Sequence, residues 1–425
     1  MKHAITLSIA VALALGVTAG ASHAPELKPG GSVPAAQTSD DVVVQWNEIA
    51  VTSIGAQPPF PSGRFMAIVQ LAVFEAVNAI SGKYEPYLGT VTAPTGASTE
   101  AAAITAAHGI LKTFPGAPAT LDQQRDASLA LIPDGQAKTD GITVGEAAAA
   151  AMIAERTGDG STPAQFYLPT NSDPYQWQLT TPSCSPAGGA FFHWGNVSPF
   201  GVQHSAQFRA DPPPALASEE YANDFREVQA LGDINSPNRT PQNTNVARIY
   251  GAQPPHVGWN SVARQIIAMR DDEITDTARV LALMNMSLAD GHISVFESKY
   301  FYRTWRPQTA IPRADEDGNA GTTPGAFTPL INTPCFPGYP SAHGVGAGAA
   351  SRILWKEYGR FHTITNSHPS VPGVVLNYSD LLDIVKAVSD ARVNGGIHFR
   401  SDQDGAERQG KAIAQWNLDN RLRPR

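Results

Sequence analysis

Three short stretches between Lys299 and Asp402 of this 425-residue chain hold side chains that could act together on one ligand. The first reads Lys299-Tyr-Phe-Tyr-Arg-Thr-Trp305-Arg306-Pro307, the second Phe336-Pro-Gly-Tyr339-Pro340-Ser341-Ala342-His343, and the third Arg392-Val-Asn-Gly-Gly-Ile-His398-Phe-Arg-Ser-Asp402. Lys299, Arg306 and Arg392 are cations, Ser341 brings a hydroxyl, His343 and His398 bring imidazoles, and Asp402 brings a carboxylate. The aromatic neighbours of the first pair imply burial, and buried cations need an anion to offset their desolvation. Ser341 after Pro340 is a natural N-cap, so the first-turn amides beginning at Ala342 make an anion seat. Asp402 follows His398 by four residues, where a carboxylate fixes an imidazole's tautomer and orientation. This inventory suits a tetrahedral oxyanion. A serine hydrolase built on Ser341, His343 and Asp402 fits poorly, because no G-x-S-x-G elbow is present and three cations would be idle.

The elements that must position these groups read as helices. Val280, Leu283, Met284, Leu288, Ile293 and Phe296 recur with a 3.6 period, predicting a central helix over about 275–305. Lys299 and Arg306 share a face if that helix persists, and Pro307 ends it. A second helix is expected over 342–358. Gly395-Gly396 breaks a third, so that Arg392 and His398 can converge despite their poor helical phase. Upstream, a helix capped by Ser39-Asp40, one over 64–80, and others near 99–113, 119–131, 144–157, 218–231, 241–250 and 259–270 are expected. The segment Gln57-Pro-Pro-Phe-Pro-Ser-Gly should break the first two apart. Residues 158–214 form a long aromatic, proline-rich passage; His193 and His204 lie there and read as packed loop residues rather than ligands. Gly344-Val-Gly-Ala-Gly lacks the Lys-Ser/Thr of a phosphate-binding loop and suits close helix packing.

With 42% hydrophobic and 16% charged residues the chain is an ordinary globular protein, and its net charge of −8 argues against nucleic acid as a partner. Lys2 and His3 before the apolar run Ile5–Val17, with Ala19-Gly20-Ala21 after it, read as a signal peptide over 1–21, so a periplasmic or secreted protein is expected. No later segment reads as a membrane span. Residues 22–38 read as a flexible leader, 39–270 as an N-terminal helical part, and 271–425 as the oxyanion-binding core integrated with it. Cys184 and Cys335 lie in proline-flanked loops; one disulfide and two separate buried thiols are both compatible with the sequence. A bridge would pin the loop entering the second cluster.

The three clusters resemble the signature shared by vanadium-dependent haloperoxidases and type 2 phosphatidic acid phosphatases: Lys-x6-Arg-Pro, Pro-Ser-Gly-His and Ser-Arg-x5-His. Here they read Lys299-x6-Arg306-Pro307, Pro340-Ser341-Ala342-His343 and Ala391-Arg392-x5-His398. Ala342 in place of Gly keeps the amide and adds a methyl; Ala391 in place of Ser leaves the arginine. Trp46-Asn47, the Arg64 helix and Trp194-Gly-Asn-Val-Ser-Pro-Phe200 extend the likeness to bacterial haloperoxidase-type proteins. The resemblance implies an all-α fold of two packed helical bundles, like that of vanadium chloroperoxidase, with long Pro/Gly-rich loops. It implies vanadate as cofactor, with phosphate able to occupy the same site. Lys299, Arg306, Ser341, the Ala342 amide and Arg392 would hold the oxygens, His398 would bind vanadium, and His343 would be the general acid/base. Trp305 and Phe336 would line the pocket, as in chloroperoxidase-type enzymes. The substrates implied are hydrogen peroxide and a halide. The alternative is an exported acid phosphatase that turns over a phosphate monoester through phospho-His398.

Overall fold

The computed structural model describes residues 26–27, 41–55 and 58–425. Thirteen α-helices and three short strands are present among the described residues. The fold is all-α in its framework: two helical bundles share one apolar core, with long loops between helices.

The first bundle contains α1 (Val42–Ile54), α2 (Pro59–Ser81), α3 (Thr99–Leu111), α4 (Leu121–Ala130) and α5 (Gln136–Arg156). Asp41, one residue beyond the expected cap, accepts the Val43 amide at 2.8 Å. The helix α2 begins at Pro59, earlier than the proline-rich sequence suggested. Prolines in a first turn lack only N–H groups that have no helical partner there. By length and composition α2 could span a bilayer, contrary to the sequence expectation; 78% of its apolar window is packed inside the protein. The helix α5 starts well before the expected 144, because Gly141 and Gly145 serve close approach rather than a turn. A Cβ on either would lie 2.4 Å from a carbonyl oxygen at the start of α3, that of Ser98 or Ala102.

Connecting the bundles are α6 (Glu219–Gly232), α7 (Pro241–Ala252) and α8 (Pro255–Ile267), the first two capped by Ser218 and Thr240. The long α9 (Ile274–Tyr302) packs against both α2 and α11 (Ala342–Tyr358), and α10 (Pro307–Ala310) is a single turn. The last helices are α12 (Leu381–Asn394) and α13 (Arg400–Asn420). The glycines of α11 do serve helix packing: a Cβ on Gly348 would meet the Glu407 carbonyl at 2.4 Å, and one on Gly410 the Val345 carbonyl at 2.1 Å. Only helices this bare can approach so closely.

A small sheet departs from the all-helical pattern. The strands β2 (Phe361–Asn366) and β3 (Leu376–Asp380) are antiparallel, and β1 (Glu26–Leu27) pairs with the other edge of β3. Part of the segment read as a flexible leader is therefore strand. The expected signal peptide, and the rest of that leader, lie outside the described residues.

Candidate functional site

The central helix stops earlier than its apolar period suggested. Arg303 takes a left-handed conformation (φ 55°) and its amide closes on the Lys299 carbonyl at 2.8 Å. Lys299 therefore sits in the last turn of α9, while Arg306 is the extended residue before α10. The two cations do not share a helical face; the bend at Arg303–Arg306 brings them together over one aromatic ring. The Lys299 ammonium and the Arg306 guanidinium each lie 5.2 Å from the Phe336 ring centroid.

Backbone carbonyls next to that ring hold both cations. Lys299 Nζ donates to the Pro337 and Gly338 carbonyls at 2.8 and 2.7 Å. Arg306 Nε donates to the Phe336 carbonyl at 3.0 Å, and Nη1 to the Ile397 carbonyl at 2.7 Å. Arg392, near the end of α12, donates to the Tyr250 carbonyl at 3.2 Å. All three cations are buried, at 0%, 0% and 4% exposure. Burial lowers each below its ordinary pKa, Arg306 to about 10 and Arg392 to about 9, and repulsion from Arg306 adds to the effect on Lys299 and Arg392. Arg306 Nη2 and Arg392 Nε have no hydrogen-bond partner. Unused buried donors on crowded cations are what an oxyanion would satisfy.

The third cluster supplies an oriented imidazole. His398 Nδ1 faces Asp402 Oδ2 at 2.8 Å, and that oxygen also accepts the Phe399 amide at 3.2 Å. Arg306 Nη1 lies 2.8 Å from His398 Nε2. A guanidinium only donates, so Nε2 carries the lone pair and Nδ1 the proton. Burial first, and then Arg306, Lys299 and Arg392, hold His398 well below the ordinary histidine range, so it stays neutral. Burial pushes Asp402 upward, and Lys299 and Arg306 pull it back. As an acceptor of two N–H groups on one oxygen it fixes the ring. Asp402 also ties two clusters together, because its carbonyl accepts the Ser341 amide at 2.9 Å.

Ser341 caps α11 as expected, its Oγ accepting the Gly344 amide at 3.3 Å, and Ala342 is the first helical residue. His343 lies in the first turn, half-buried, with Nε2 3.4 Å from the Gln253 carbonyl. Burial, then Arg392, hold it well below its ordinary pKa. An apolar crevice lined by Tyr250, Pro254, Pro255, Trp259 and Val388 reaches it from the other side. Trp305 packs its side chain in a small apolar cluster with Tyr221, Phe225 and Phe399, while Phe336 lies at the cations. His193 is buried in its loop, facing the Gln165 amide and the Ser161 carbonyl, and His204 is exposed. The carbonyls of Tyr250, Gln253 and 336–338 escaped the sequence reading, because main-chain acceptors leave no residue-type signal.

Residues 279–423, which contain all three clusters, match the family described as the VCPO second helical-bundle domain. That domain match and the relatives below support kinship with the vanadium haloperoxidase superfamily. Its sequence is 28% identical to the vanadium chloroperoxidase of Curvularia inaequalis over an alignment covering 45% of this chain and 36% of that one. The match thus spans little more than a third of that curated relative. Its fold matches a bacterial vanadium-dependent iodoperoxidase with a TM-score of 0.76 at 22% identity, covering 93% of this chain and 99% of the other. A holo-type bacterial vanadium-dependent chloroperoxidase matches with a TM-score of 0.66 at 17% identity, covering 90% and 93%.

Proposed function

We propose that this protein is an exported, vanadate-dependent haloperoxidase that oxidises a halide with hydrogen peroxide. One observation carries the reading: a neutral imidazole, held by Asp402, turns its Nε2 lone pair into a pocket of three buried cations. The residues fit vanadate. Three cations against one carboxylate leave an excess of positive charge, and two guanidinium nitrogens there lack partners. Lys299, Arg306, Arg392, the Ser341 hydroxyl and the Ala342 amide would hold its oxygens, and His398 Nε2 would bind the metal. Held by these residues, vanadate would supply Lewis-acid activation of peroxide toward halide, with no change of its oxidation state.

The chain's own residues do the rest. Asp402 keeps the proton on His398 Nδ1, so that Nε2 remains a ligand. Phe336 shields one side of Lys299 and Arg306 from water. His343, neutral and at the first turn of α11, takes up or returns a proton at the anion. Peroxide and halide are small molecules, in keeping with the names of the relatives, and the N-terminal sequence supports export.

The test is reconstitution with orthovanadate followed by two assays, halide oxidation with hydrogen peroxide and p-nitrophenyl phosphate hydrolysis without vanadate. Peroxide-dependent bromide or iodide oxidation that requires vanadate supports the proposal. Phosphate-ester hydrolysis with no halide oxidation at any vanadate concentration would assign the pocket to phosphoryl transfer, with His398 as nucleophile.

A further inference from the structure

The carbonyls that hold Lys299 and Arg306 belong to an irregular segment, held by the Gly338 and Tyr339 amides on Thr304 and by the Phe336 ring on Phe60 and Phe296. Between Asp317 and Ser341 there is no helix or strand, and Pro334, Pro337 and Pro340 have no N–H to give. Yet Phe336, Pro337 and Gly338 must each present a carbonyl in a fixed direction for both cations to stay where they are. A second segment, residues 175–190, crosses this region and fastens it at both ends.

At its start the strap binds the backbone around Arg306. The Trp305 amide donates to the Tyr175 carbonyl at 2.8 Å, and the Trp177 amide to the Arg303 carbonyl at 2.7 Å. The Gln308 side chain donates to the Thr181 carbonyl at 2.8 Å. Farther along, Cys184 is disulfide-bonded to Cys335, and the Ala190 amide donates to the Cys335 carbonyl at 2.8 Å. Cys335 immediately precedes the three carbonyls. The disulfide is therefore a covalent join between the strap that binds residues on either side of Arg306 and the loop that holds Arg306's side chain. It is part of a closed frame around two of the three cations.

We propose that the Cys184–Cys335 disulfide is a positioning element of the oxyanion pocket. Opening it frees the carbonyls at 336–338 to turn toward water and lowers oxyanion affinity while the helical framework stays folded. The proposal rests on the oxyanion reading of the site and adds to it the strap that sets its geometry. The bridge also joins positions separated by 151 residues, so it stabilises the whole chain as well. Affinity, not stability, is what must distinguish the two roles.

The experiment measures phosphate binding by titration calorimetry on the full chain, at a temperature where every form is folded by circular dichroism. Four forms are compared: oxidised protein, protein reduced with a water-soluble phosphine, Cys184→Ser, and Gln308→Ala. In the reduction each sulfur gains an electron and a proton, and the phosphine becomes its oxide with oxygen from water. Loss of oriented, charge-assisted contacts predicts about tenfold weaker phosphate binding in the reduced protein and in Cys184→Ser. Reoxidation should restore it. Gln308→Ala loosens the same strap with the disulfide intact and should weaken binding less, in the same direction. Once water reaches Lys299, the alkaline limb of phosphate binding should also move to higher pH, which a purely global role would not produce.

Unchanged phosphate affinity with both thiols free by titration would overturn the proposal. If neither opened form folds, Gln308→Ala alone decides, and unchanged affinity there overturns it. Failure of the oxidised wild-type protein to bind either phosphate or vanadate would instead refute the oxyanion reading.

Discussion

Replacing Arg392 by Met should separate ligand binding from folding in a way that replacing Arg306 cannot. The two guanidinium groups are equally buried but differently employed. Arg392 gives one hydrogen bond to the protein, to the Tyr250 carbonyl at 3.2 Å, and its Nε has no partner. Arg306 is committed to two carbonyls and to His398 Nε2. Methionine keeps an unbranched apolar stem and removes the donors. In Arg392→Met the lost bond to Tyr250 costs about 1 kcal/mol. Removing a desolvated cation that Arg306 repels offsets that cost, since apolar replacement of buried ions is often neutral or stabilising by ~1–4 kcal/mol. The anion-free protein should therefore melt no lower than wild type. Its phosphate or vanadate affinity should fall by about 1.5–3 kcal/mol, the range of a charge-assisted hydrogen bond. At 1.36 kcal/mol per decade this is roughly 13- to 160-fold. Arg306→Met should lose comparable affinity and also melt lower, because two buried carbonyls lose their donor at about 1–3 kcal/mol each. Calorimetric titration and anion-free thermal unfolding read the two quantities separately. Wild-type phosphate affinity in Arg392→Met, or a melting point below that of Arg306→Met, would refute the reasoning.

His398→Ala should abolish halide oxidation and phosphate-ester hydrolysis alike, with helicity by circular dichroism unchanged; near-normal turnover would remove His398 from the site. His256 and His292 give an acid-stability prediction. Both are buried with neither ring nitrogen partnered, and burial lowers them to about 4 and about 3. Their folded pKa values lie below the unfolded value of about 6.5, so their neutral-state contribution is complete above that pH. It is lost as pH falls from 6.5 toward 4 and 3, each group adding about 1.4 kcal/mol per pH unit to the slope. Denaturant unfolding between pH 6.5 and 4.5 should show a slope that falls by that amount in His256→Asn or His292→Asn, and an unchanged slope in both would contradict the assignment.

The parts legible in the sequence were those that depend on residue type and period. The three clusters, the Ser341 cap, the orienting Asp402 and most helices follow from such patterns, and the structure joins Arg306, His398, Asp402 and Ser341 through direct hydrogen bonds. What was not legible depends on backbone placement. The left-handed turn at Arg303 ended α9 early, where the apolar period alone carried the helix to Trp305. The helix α5 begins at Gln136, before the expected 144, with Gly141 and Gly145 set against α3, a closeness that only the fold shows. Trp305 stands beside Arg306 in sequence, yet its ring packs in another cluster. His292 carries no spacing that marks it as a neighbour of His343, whose pKa it helps to lower. The Cys184–Cys335 bridge was open between two readings, because 151 residues separate the partners and only the fold brings them together.

The central claim is that one pocket, built on His398 and three buried cations, takes either oxyanion. The most direct measurement is a competition titration of the full chain: phosphate bound to saturation, then orthovanadate added, with both ions followed by phosphorus and vanadium magnetic resonance. The account predicts one phosphate released for each vanadate bound, and no vanadium held at that site in His398→Ala. Vanadate and phosphate binding together without displacement, or vanadium bound unchanged in His398→Ala, would contradict it.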